Sequence, residues 1–321
     1  MAPSMLLSLA TLRTGELMTR RFSRGFVRTG IIALLAGVLT SLGLPAQAAV
    51  SALPNSMTST GDSITRAFNA GSPLKDSPGL SWSTGDSSKV HSHFRRIRAQ
   101  NPDIVAYNDA KSGARMGNLN DQAKLAVSHK ADYVTVLMGA NDACRPSEAD
   151  MTPVSDFESQ FRTAMATLRE GLPRSAIFVA SIPDLQQLLD IGENSANARQ
   201  IWAAARICPS MLANPLSEEQ EDIERRERVR QRVIDFNSVL EQVCEEESPY
   251  CRFDDNAVFS YPFQLRHLST VDYFHLSIAG QNVVAELTWR KSFFSSGSTI
   301  FDDFELPLLD SVADLISHLL V

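Results

Sequence analysis

The strongest structural signal in this chain is the sequence YVTVLMGAND at residues 133–142. Its first six residues are apolar or β-branched without interruption, which is typical of a strand covered on both faces. Gly139 and the polar pair Asn141 and Asp142 then end the run, because such residues favour turns. The stretch therefore predicts an interior strand that carries polar side chains at its carboxyl end.

Further strand-like runs lie on both sides of this stretch and alternate with helical patterns. The alternation predicts an α/β domain with a mostly parallel five-stranded sheet and helices on both faces. Residues 184–217 show no clear element, and we interpret them as an insertion over one end of the sheet. The strand candidates are residues 56–60, 104–108, 133–138, 177–182 and 252–259, and the helical patterns lie near residues 90–99, 120–130, 156–172, 218–247 and 277–291.

The helical pattern that begins at residue 218 is densely charged. Acidic and basic side chains are spaced four residues apart in three pairs, which are Glu221 with Arg225, Asp222 with Arg226, and Glu224 with Arg228. Such pairs stabilise an exposed helix. The run therefore predicts a solvated helix face rather than a binding site.

Four short polar segments each end or follow one of the predicted strands. Ligands bind at the carboxyl ends of the strands in an open parallel sheet, so these segments are expected to converge on one crevice. They are GDSI at residues 61–64, NDAKSG at 108–113, GAND at 139–142 and DYFH at 272–275.

These four blocks, in this order, resemble those of the SGNH subgroup of GDSL lipases and esterases. The resemblance covers nearly the whole chain after its first 48 residues. It implies a flavodoxin-like, three-layer α/β/α fold. Residues 81–83 (SWS) and Cys144 are more similar to the phospholipase B-like branch than to the carbohydrate esterases.

The chemistry of the blocks assigns their roles. A serine hydroxyl needs a base to become a nucleophile, and an imidazole titrates near neutral pH, so Ser63 and His275 are the candidate nucleophile and base. Asp272 is placed to orient the imidazole and to stabilise its protonated form. The resemblance assigns the oxyanion hole to the backbone N–H groups of Ser63 and Gly113 and to the side-chain amide of Asn141.

One ambiguity concerns the nucleophile, because the pentapeptide STGDS occurs at residues 59–63 and again at 83–87. The first copy is followed by the apolar Ile64 and lies just before the second predicted strand, as the family pattern requires. The second copy is followed by Ser88 and Lys89. We therefore interpret Ser87 as a loop residue.

The first 48 residues are interpreted as a secretory signal peptide. Four arginines between positions 20 and 28 precede an apolar run at residues 31–44 and the A-x-A sequence at 46–48. Residues 49–321, the predicted hydrolase domain, then carry a net charge of −11, since the leader holds five Arg and one Glu. An acidic surface of this kind disfavours nucleic-acid binding, and no later run is long and apolar enough to predict a transmembrane helix.

The cysteines fit an exported protein. They are even in number and form no C-x-x-C pair, so disulfides are favoured over zinc or redox chemistry, with free thiols as the alternative. Four cysteines allow three pairings. The short loop between Cys244 and Cys251 favours that pair, which leaves Cys144 to bond Cys208.

Three weaker patterns allow two interpretations each. His91 and His93 lack a third ligand nearby, so a metal site is not predicted. Trp82 and Phe68 either line an acyl groove or belong to the core, and core is favoured. Residues 310–321 form an amphipathic pattern, interpreted as a helix docked on the domain, with a transient contact to a lipid interface as the alternative.

The sequence thus predicts a secreted serine hydrolase that cleaves carboxylic esters through an acyl-enzyme and needs no metal or organic cofactor. Lipid or phospholipid esters are the expected substrates, by resemblance. The alternatives are an esterase for short acyl groups or acetylated carbohydrate, an acyltransferase, and a non-catalytic lipid- or glycan-binding protein.

Overall fold

A computed structural model of the chain describes residues 52–295. Its centre is a sheet of five strands, and all four strand pairings are parallel. The order across the sheet is β2-β1-β3-β4-β5. The strands are β1 Ser56–Gly61, β2 Val105–Asn108, β3 Tyr133–Leu137, β4 Ala176–Val179 and β5 Cys251–Phe253.

Ten α-helices surround this sheet within the described residues. They are α1 His93–Arg98, α2 Leu119–His129, α3 Ala140–Ala143, α4 Val154–Gly171, α5 Leu185–Gly192, α6 Ala196–Ala205, α7 Pro209–Leu212, α8 Gln220–Glu246, α9 Ala257–Ser260 and α10 Ile278–Lys291. Helices α2, α4 and α8 pack on one face of the sheet, and α1 and α10 pack on the other. The predicted three-layer α/β/α fold is therefore confirmed.

The central strand β3 shows why the sequence adopts this arrangement. Val134 and Val136 pack into the core under α2, α4 and α8, whereas Tyr133 and Leu137 pack into the core under α1 and α10. Side chains alternate between the faces of a strand, so a strand with helices on both sides must be apolar throughout. All five residues of β3 are buried.

The strand order fixes the position of the crevice. The chain passes from β1 outward to β2 and then returns to place β3 on the other side of β1. Connections on opposite sides of the sheet diverge at this point, and the carboxyl ends of β1 and β3 open a crevice there. The segments that follow β1, β2 and β3 all begin at this edge.

Two sequence-based expectations need correction. Residues 184–217 contain the three helices α5, α6 and α7, which are too short to show a clear apolar period. Local caps start two of them, since the side chains of Asp184 and Ser195 accept hydrogen bonds from the first turns of α5 and α6. The fifth strand is also shorter than expected, because it ends at Phe253 and α9 begins four residues later.

Both disulfides have the pairing that the sequence favours. Cys144 is bonded to Cys208, and Cys244 is bonded to Cys251. The first bond ties the segment between β4 and α8 to the turn after β3, and the second joins the end of α8 to the start of β5.

Within residues 52–295, none of the helices combines the length and the apolar character needed to cross a bilayer. The predicted leader at residues 1–48 and the predicted amphipathic helix near residues 310–321 lie outside the described residues.

Candidate active site

Ser63 lies in the turn that follows β1. Gly61 ends the strand with a φ of 137°, and a Cβ at this position would come within 2.2 Å of the Leu137 carbonyl oxygen, so only glycine fits. The turn is closed by hydrogen bonds from the N–H of Arg66 to the Asp62 carbonyl (3.1 Å) and from the N–H of Phe68 to the Ser63 carbonyl (3.0 Å). The hydroxyl of Ser63 therefore has a fixed position at the crevice.

His275 and Asp272 come from the loop before α10, more than two hundred residues after Ser63. The Oγ of Ser63 lies 2.8 Å from Nε2 of His275. Nδ1 of the same imidazole lies 2.6 Å from Oδ2 of Asp272. The ring of Phe68 packs against the imidazole, with 4.9 Å between ring centroids. A hydroxyl, an imidazole and a carboxylate in this series can generate a serine nucleophile.

The carboxylate of Asp272 is held by several donors. Its Oδ1 accepts hydrogen bonds from the backbone N–H groups of Phe274 and His275, each at 3.0 Å. Its Oδ2 accepts from the side chains of His275 and Asn69. Burial alone would raise the pKa of Asp272, but the hydrogen bonds and the charge of His275 lower it below its ordinary value. The group is therefore ionised in the working pH range.

Three N–H donors of the polar blocks lie in the segments that follow β1, β2 and β3. Among the described residues, the backbone N–H groups of Ser63 and Gly113 donate to no acceptor. Gly113 has a φ of 79°, and no atom lies within 4 Å of where its Cβ would be. The side-chain amide of Asn141 donates one hydrogen to the Ala114 carbonyl (3.0 Å) and keeps a second for another acceptor.

Two buried carboxyl groups support this edge of the sheet. Asp62 is fully buried, and its Oδ1 accepts the N–H of Ile64 at 2.9 Å, so the residue holds the nucleophile turn. Its Oδ2 has no hydrogen-bond partner among the described residues. Burial raises the pKa of Asp62 to about 7. Asp142 accepts from the N–H of Met116 and from the Thr152 hydroxyl, and burial raises its pKa as well.

An apolar cleft opens beside Ser63 and His275. Helix α5 forms one wall with Leu188 and Ile191, and the opposite wall comes from the loop before α10. The two walls are tied together because Gln187 accepts the backbone N–H of Phe263 at 2.9 Å. The apolar residues that line the cleft are Ile64, Ala140, Pro183, Leu185, Leu188, Ile191, Phe263, Leu268, Phe274 and Leu276.

Comparison with known proteins assigns the chain to a family. A sequence model described as GDSL-like lipase/acylhydrolase matches residues 59–288, which is most of the chain and spans all four polar blocks. The chain belongs to this family. A sequence search against curated proteins finds no significant match.

Solved structures are similar to this GDSL hydrolase. An α/β hydrolase enzyme from the metagenome of Lake Arreo, Spain, is 17% identical with a TM-score of 0.50, and the match covers 76% of this chain and 97% of that one. An extracellular lipase from Streptomyces rimosus is 16% identical with a TM-score of 0.45, over 73% of this chain and 99% of that one. An acetyl-xylooligosaccharide esterase from Geobacillus is 16% identical with a TM-score of 0.47, over 74% and 93%. At such low sequence identity, a likeness extends to the fold and to nothing beyond it.

The second STGDS copy lies away from the imidazole of this GDSL hydrolase. The backbone N–H of Ser87 donates to the Gly79 carbonyl at 2.9 Å, and its hydroxyl accepts the N–H of Lys89. Ser63, not Ser87, is therefore the serine beside His275. Trp82 is fully buried in the core, whereas Phe68 packs on the imidazole instead of lining the cleft.

His93 is buried in the core of the GDSL domain, away from the crevice. Its two ring nitrogens lie 2.9 Å from the Tyr133 hydroxyl and 2.9 Å from the Thr288 hydroxyl. Burial and the nearby Arg96 lower the pKa of His93 to about 3, so the ring is neutral. His91 lies on the surface, where its backbone N–H donates to the side-chain oxygen of Asn282.

The sequence did not identify two parts of the site. One is Asn69, whose contact with Asp272 joins residues 203 positions apart. The other is the cleft wall on α5, where Leu185 and Leu188 lie one helical turn apart. That spacing was a usable signal, but it extends over little more than one turn.

Proposed function

We propose that the protein is a secreted serine hydrolase that cleaves carboxylic esters through an acyl-enzyme on Ser63. The observation that carries the proposal is the hydrogen-bonded series from Ser63 through His275 to Asp272. To this series we add, as the oxyanion hole, the backbone N–H groups of Ser63 and Gly113 and the second amide hydrogen of Asn141. The series can form the nucleophile, and the donors can stabilise the charge that its attack creates.

The proposed reaction begins with attack of the Ser63 oxygen on the ester carbonyl carbon. The hydroxyl proton passes to Nε2 of His275, and Asp272 stabilises the resulting imidazolium through Nδ1. The carbonyl oxygen becomes an oxyanion and accepts hydrogen bonds from the three donors. Because these donors are already oriented, little reorganisation is needed when the charge develops.

Collapse of the tetrahedral intermediate then breaks the ester bond. The leaving alkoxide takes the proton from His275 and departs as an alcohol, while the acyl group stays on Ser63. A water molecule attacks the acyl-enzyme and gives a proton to the imidazole. The carboxylic acid leaves, and the Ser63 oxygen recovers its proton, so the enzyme returns to its starting state.

The apolar lining of the cleft supports the proposal that the cleft binds the acyl chain of the substrate. Its lining is dominated by aliphatic and aromatic side chains, and neither Lys nor Arg occurs among the described residues that form it. Each methylene that moves from water into such a surface contributes about 0.8 kcal/mol. Lipid or phospholipid acyl esters are therefore the proposed substrates, with the phospholipase B-like branch still a prediction.

Covalent labelling with a fluorophosphonate probe tests the catalytic part of the proposal. The wild-type protein and Ser87→Ala are expected to be labelled and to hydrolyse p-nitrophenyl butyrate, whereas Ser63→Ala does neither. Loss of both properties in Ser87→Ala alone would overturn the assignment of the nucleophile. A folded wild-type protein that is not labelled would instead indicate a non-catalytic binding protein.

A series of p-nitrophenyl esters, measured beside a phospholipid, tests the substrate. We expect kcat/KM to increase from acetate to medium and long acyl chains. A maximum at acetate would contradict the lipid preference and favour a short-chain or carbohydrate acetyl esterase. Added alcohols that become acylated in place of water would instead identify an acyltransferase.

Secretion is the remaining part of the proposal. The two disulfides support it, because such bonds persist in oxidising compartments. Expression of the full chain with its leader in a bacterial host, followed by N-terminal sequencing of the exported protein, is the test. Cleavage after Ala48 is expected, and retention of an uncleaved chain in the cytoplasm would contradict it.

A further inference from the structure

We propose that Asn69 is a positioning residue of the catalytic series, an inference that rests on the proposed function of Ser63, His275 and Asp272. The side-chain amide of Asn69 donates a hydrogen bond to Oδ2 of Asp272. This is the oxygen that lies 2.6 Å from Nδ1 of His275. The amide therefore acts on the atom through which Asp272 orients the base.

The side chain of Asn69 is held in one orientation. Its Oδ1 accepts the backbone N–H of Leu74 at 2.6 Å, so the NH₂ group must face Asp272. Its backbone N–H donates to the Lys75 carbonyl at 3.0 Å, and its backbone carbonyl accepts the Ser269 hydroxyl at 2.8 Å. Asn69 is 4% exposed, so water does not compete effectively for these bonds.

The backbone at this position also favours asparagine. Asn69 has a φ of 60°, in the left-handed region that non-glycine residues avoid, with asparagine and aspartate the best tolerated. It ends the turn that begins at Ser63, six residues earlier. A single short segment thus carries the nucleophile and holds the carboxylate at the far end of the series.

The consequence for the reaction follows from the hydrogen bonds of Asp272. Its four donors are two backbone N–H groups on Oδ1 and the side chains of Asn69 and His275 on Oδ2. Without Asn69, the Oδ2 side loses the only donor among residues 52–295 that is not the base itself. The carboxylate can then rotate about its Cβ–Cγ bond, and the imidazole loses its fixed direction toward Ser63.

Two variants separate this role from support of the fold. Asn69→Gly removes the amide but tolerates the left-handed backbone. Asn69→Asp keeps an acceptor for the Leu74 N–H and a tolerated backbone, but it places a second carboxylate against Asp272. Ser269→Ala is the matched control, because it removes the Ser269 hydroxyl bond to the Asn69 backbone without changing the amide.

The measurements are kcat and KM for p-nitrophenyl butyrate, normalised to sites titrated with a fluorophosphonate, and the pH profile of kcat/KM. We expect Asn69→Gly to lower kcat about tenfold, as loss of a hydrogen bond to a charged group does, with little change in KM. In Asn69→Asp two buried carboxyl groups face each other, so the pKa of one of them is raised and the pair holds a proton. We expect the pH profile of kcat/KM to differ from that of the wild type through the ionisation of this carboxyl pair.

The inference is overturned if both variants keep the wild-type kcat per titrated site and the wild-type pH profile. It is also overturned if Ser269→Ala reproduces the loss of kcat, because the contact would then matter only for the fold. Hydrolysis that survives Ser63→Ala would instead contradict the proposed function, so the two failures are distinguishable.

Discussion

At the scale of single residues, Asn141 shows how a side chain can serve the fold and the site together. One of its amide hydrogens bonds the Ala114 carbonyl, which fixes the amide beside Gly113. No acceptor among the described residues takes the other hydrogen, and it is the one that we assign to the oxyanion hole. A donor that is already oriented costs nothing to reorganise when negative charge develops, which is why such donors act mainly on kcat.

We therefore expect Asn141→Ala to lower kcat by a factor of about 10²–10³ with a small change in KM. Steady-state kinetics on a p-nitrophenyl ester provide the measurement. Asn118→Ala is the matched control, since Asn118 is exposed in the same region and its side chain only caps the Arg115 N–H. An equal loss of kcat in both variants would contradict a role for Asn141 in the oxyanion hole.

Asp62 predicts a pH dependence of stability. Its pKa is raised from 3.8 to about 7 by burial, so the folded protein keeps its proton where the unfolded chain has lost it. Stability is therefore unaffected below about pH 4, falls as the pH rises toward 7, and stays low above it. A shift of about three units corresponds to roughly 4 kcal/mol.

Asp62→Asn removes this titration and keeps an acceptor for the Ile64 N–H. Relative to the wild type, the variant is expected to gain stability between pH 4 and pH 7, as measured by urea unfolding across a pH series. Asp86→Asn, at an exposed loop position, is the control and should show no such gain. A constant difference between Asp62→Asn and wild type at all pH values would contradict the raised pKa.

The sequence could point to Ser63, Gly113, Asn141, Asp272 and His275 because each belongs to one of four short blocks whose order resembles the family pattern. It could not identify Asn69, since nothing near position 69 reveals a contact made 203 residues later. Local sequence predicts local turn chemistry, but the partner of a buried amide depends on how distant loops pack.

At the scale of elements, apolar periodicity predicted the strands and the long helices. The i, i+4 spacing of charged side chains was a poorer guide to the contacts in the charged run of α8. Of the three pairs expected on that run, Glu224 with Arg228 is present at 3.5 Å. Arg225 instead pairs with Asp222 at 2.8 Å and donates to the carbonyls of Ser210 and Ala213. This part of α8 thus anchors the segment that holds α7.

The wall that α5 contributes to the cleft predicts acyl-chain selectivity. Leu188 lies on the cleft face of α5, so Leu188→Trp is expected to fill part of the cleft. We expect kcat/KM for a laurate ester to fall at least about tenfold while that for acetate stays within about twofold, since volume limits only long chains. The ratio of the two constants is the measurement.

Asp190→Ala is the control for this wall, because Asp190 lies on the same helix but is exposed and away from the cleft. It should leave the laurate-to-acetate ratio unchanged. A similar loss on both esters in Leu188→Trp would place the acyl chain elsewhere and would contradict the proposed use of the cleft.

At the scale of the whole molecule, the site depends on distant parts of the chain being held together. Ser63 comes from the first strand–helix connection, α5 from the middle, and His275 from the last loop. Trp202 on α6 donates to the Tyr273 carbonyl at 3.1 Å, which links the middle segment to the loop of His275. The Cys144–Cys208 bond anchors that same segment to the turn after β3.

Removal of one disulfide should therefore lower the free energy of unfolding more than removal of the other. A cross-link stabilises mainly by restricting the unfolded chain, and the effect grows with the length of the closed loop. Cys144 and Cys208 are 64 positions apart, whereas Cys244 and Cys251 are 7 apart. Chain entropy gives about 4 kcal/mol for the first bond and about 2.5 kcal/mol for the second.

We expect the double variant Cys144→Ala/Cys208→Ala to lose about 2 kcal/mol more unfolding free energy in urea than Cys244→Ala/Cys251→Ala, which is its matched control. The first variant should also lose activity on long-chain esters before it unfolds, because, of the two disulfides, only Cys144–Cys208 anchors the segment that carries the cleft wall. The control should keep the wild-type ester preference while it remains folded. Equal losses of stability together with an unchanged ester preference in both would mean that α5 is positioned by packing alone, through contacts such as those of Trp202 and Arg225.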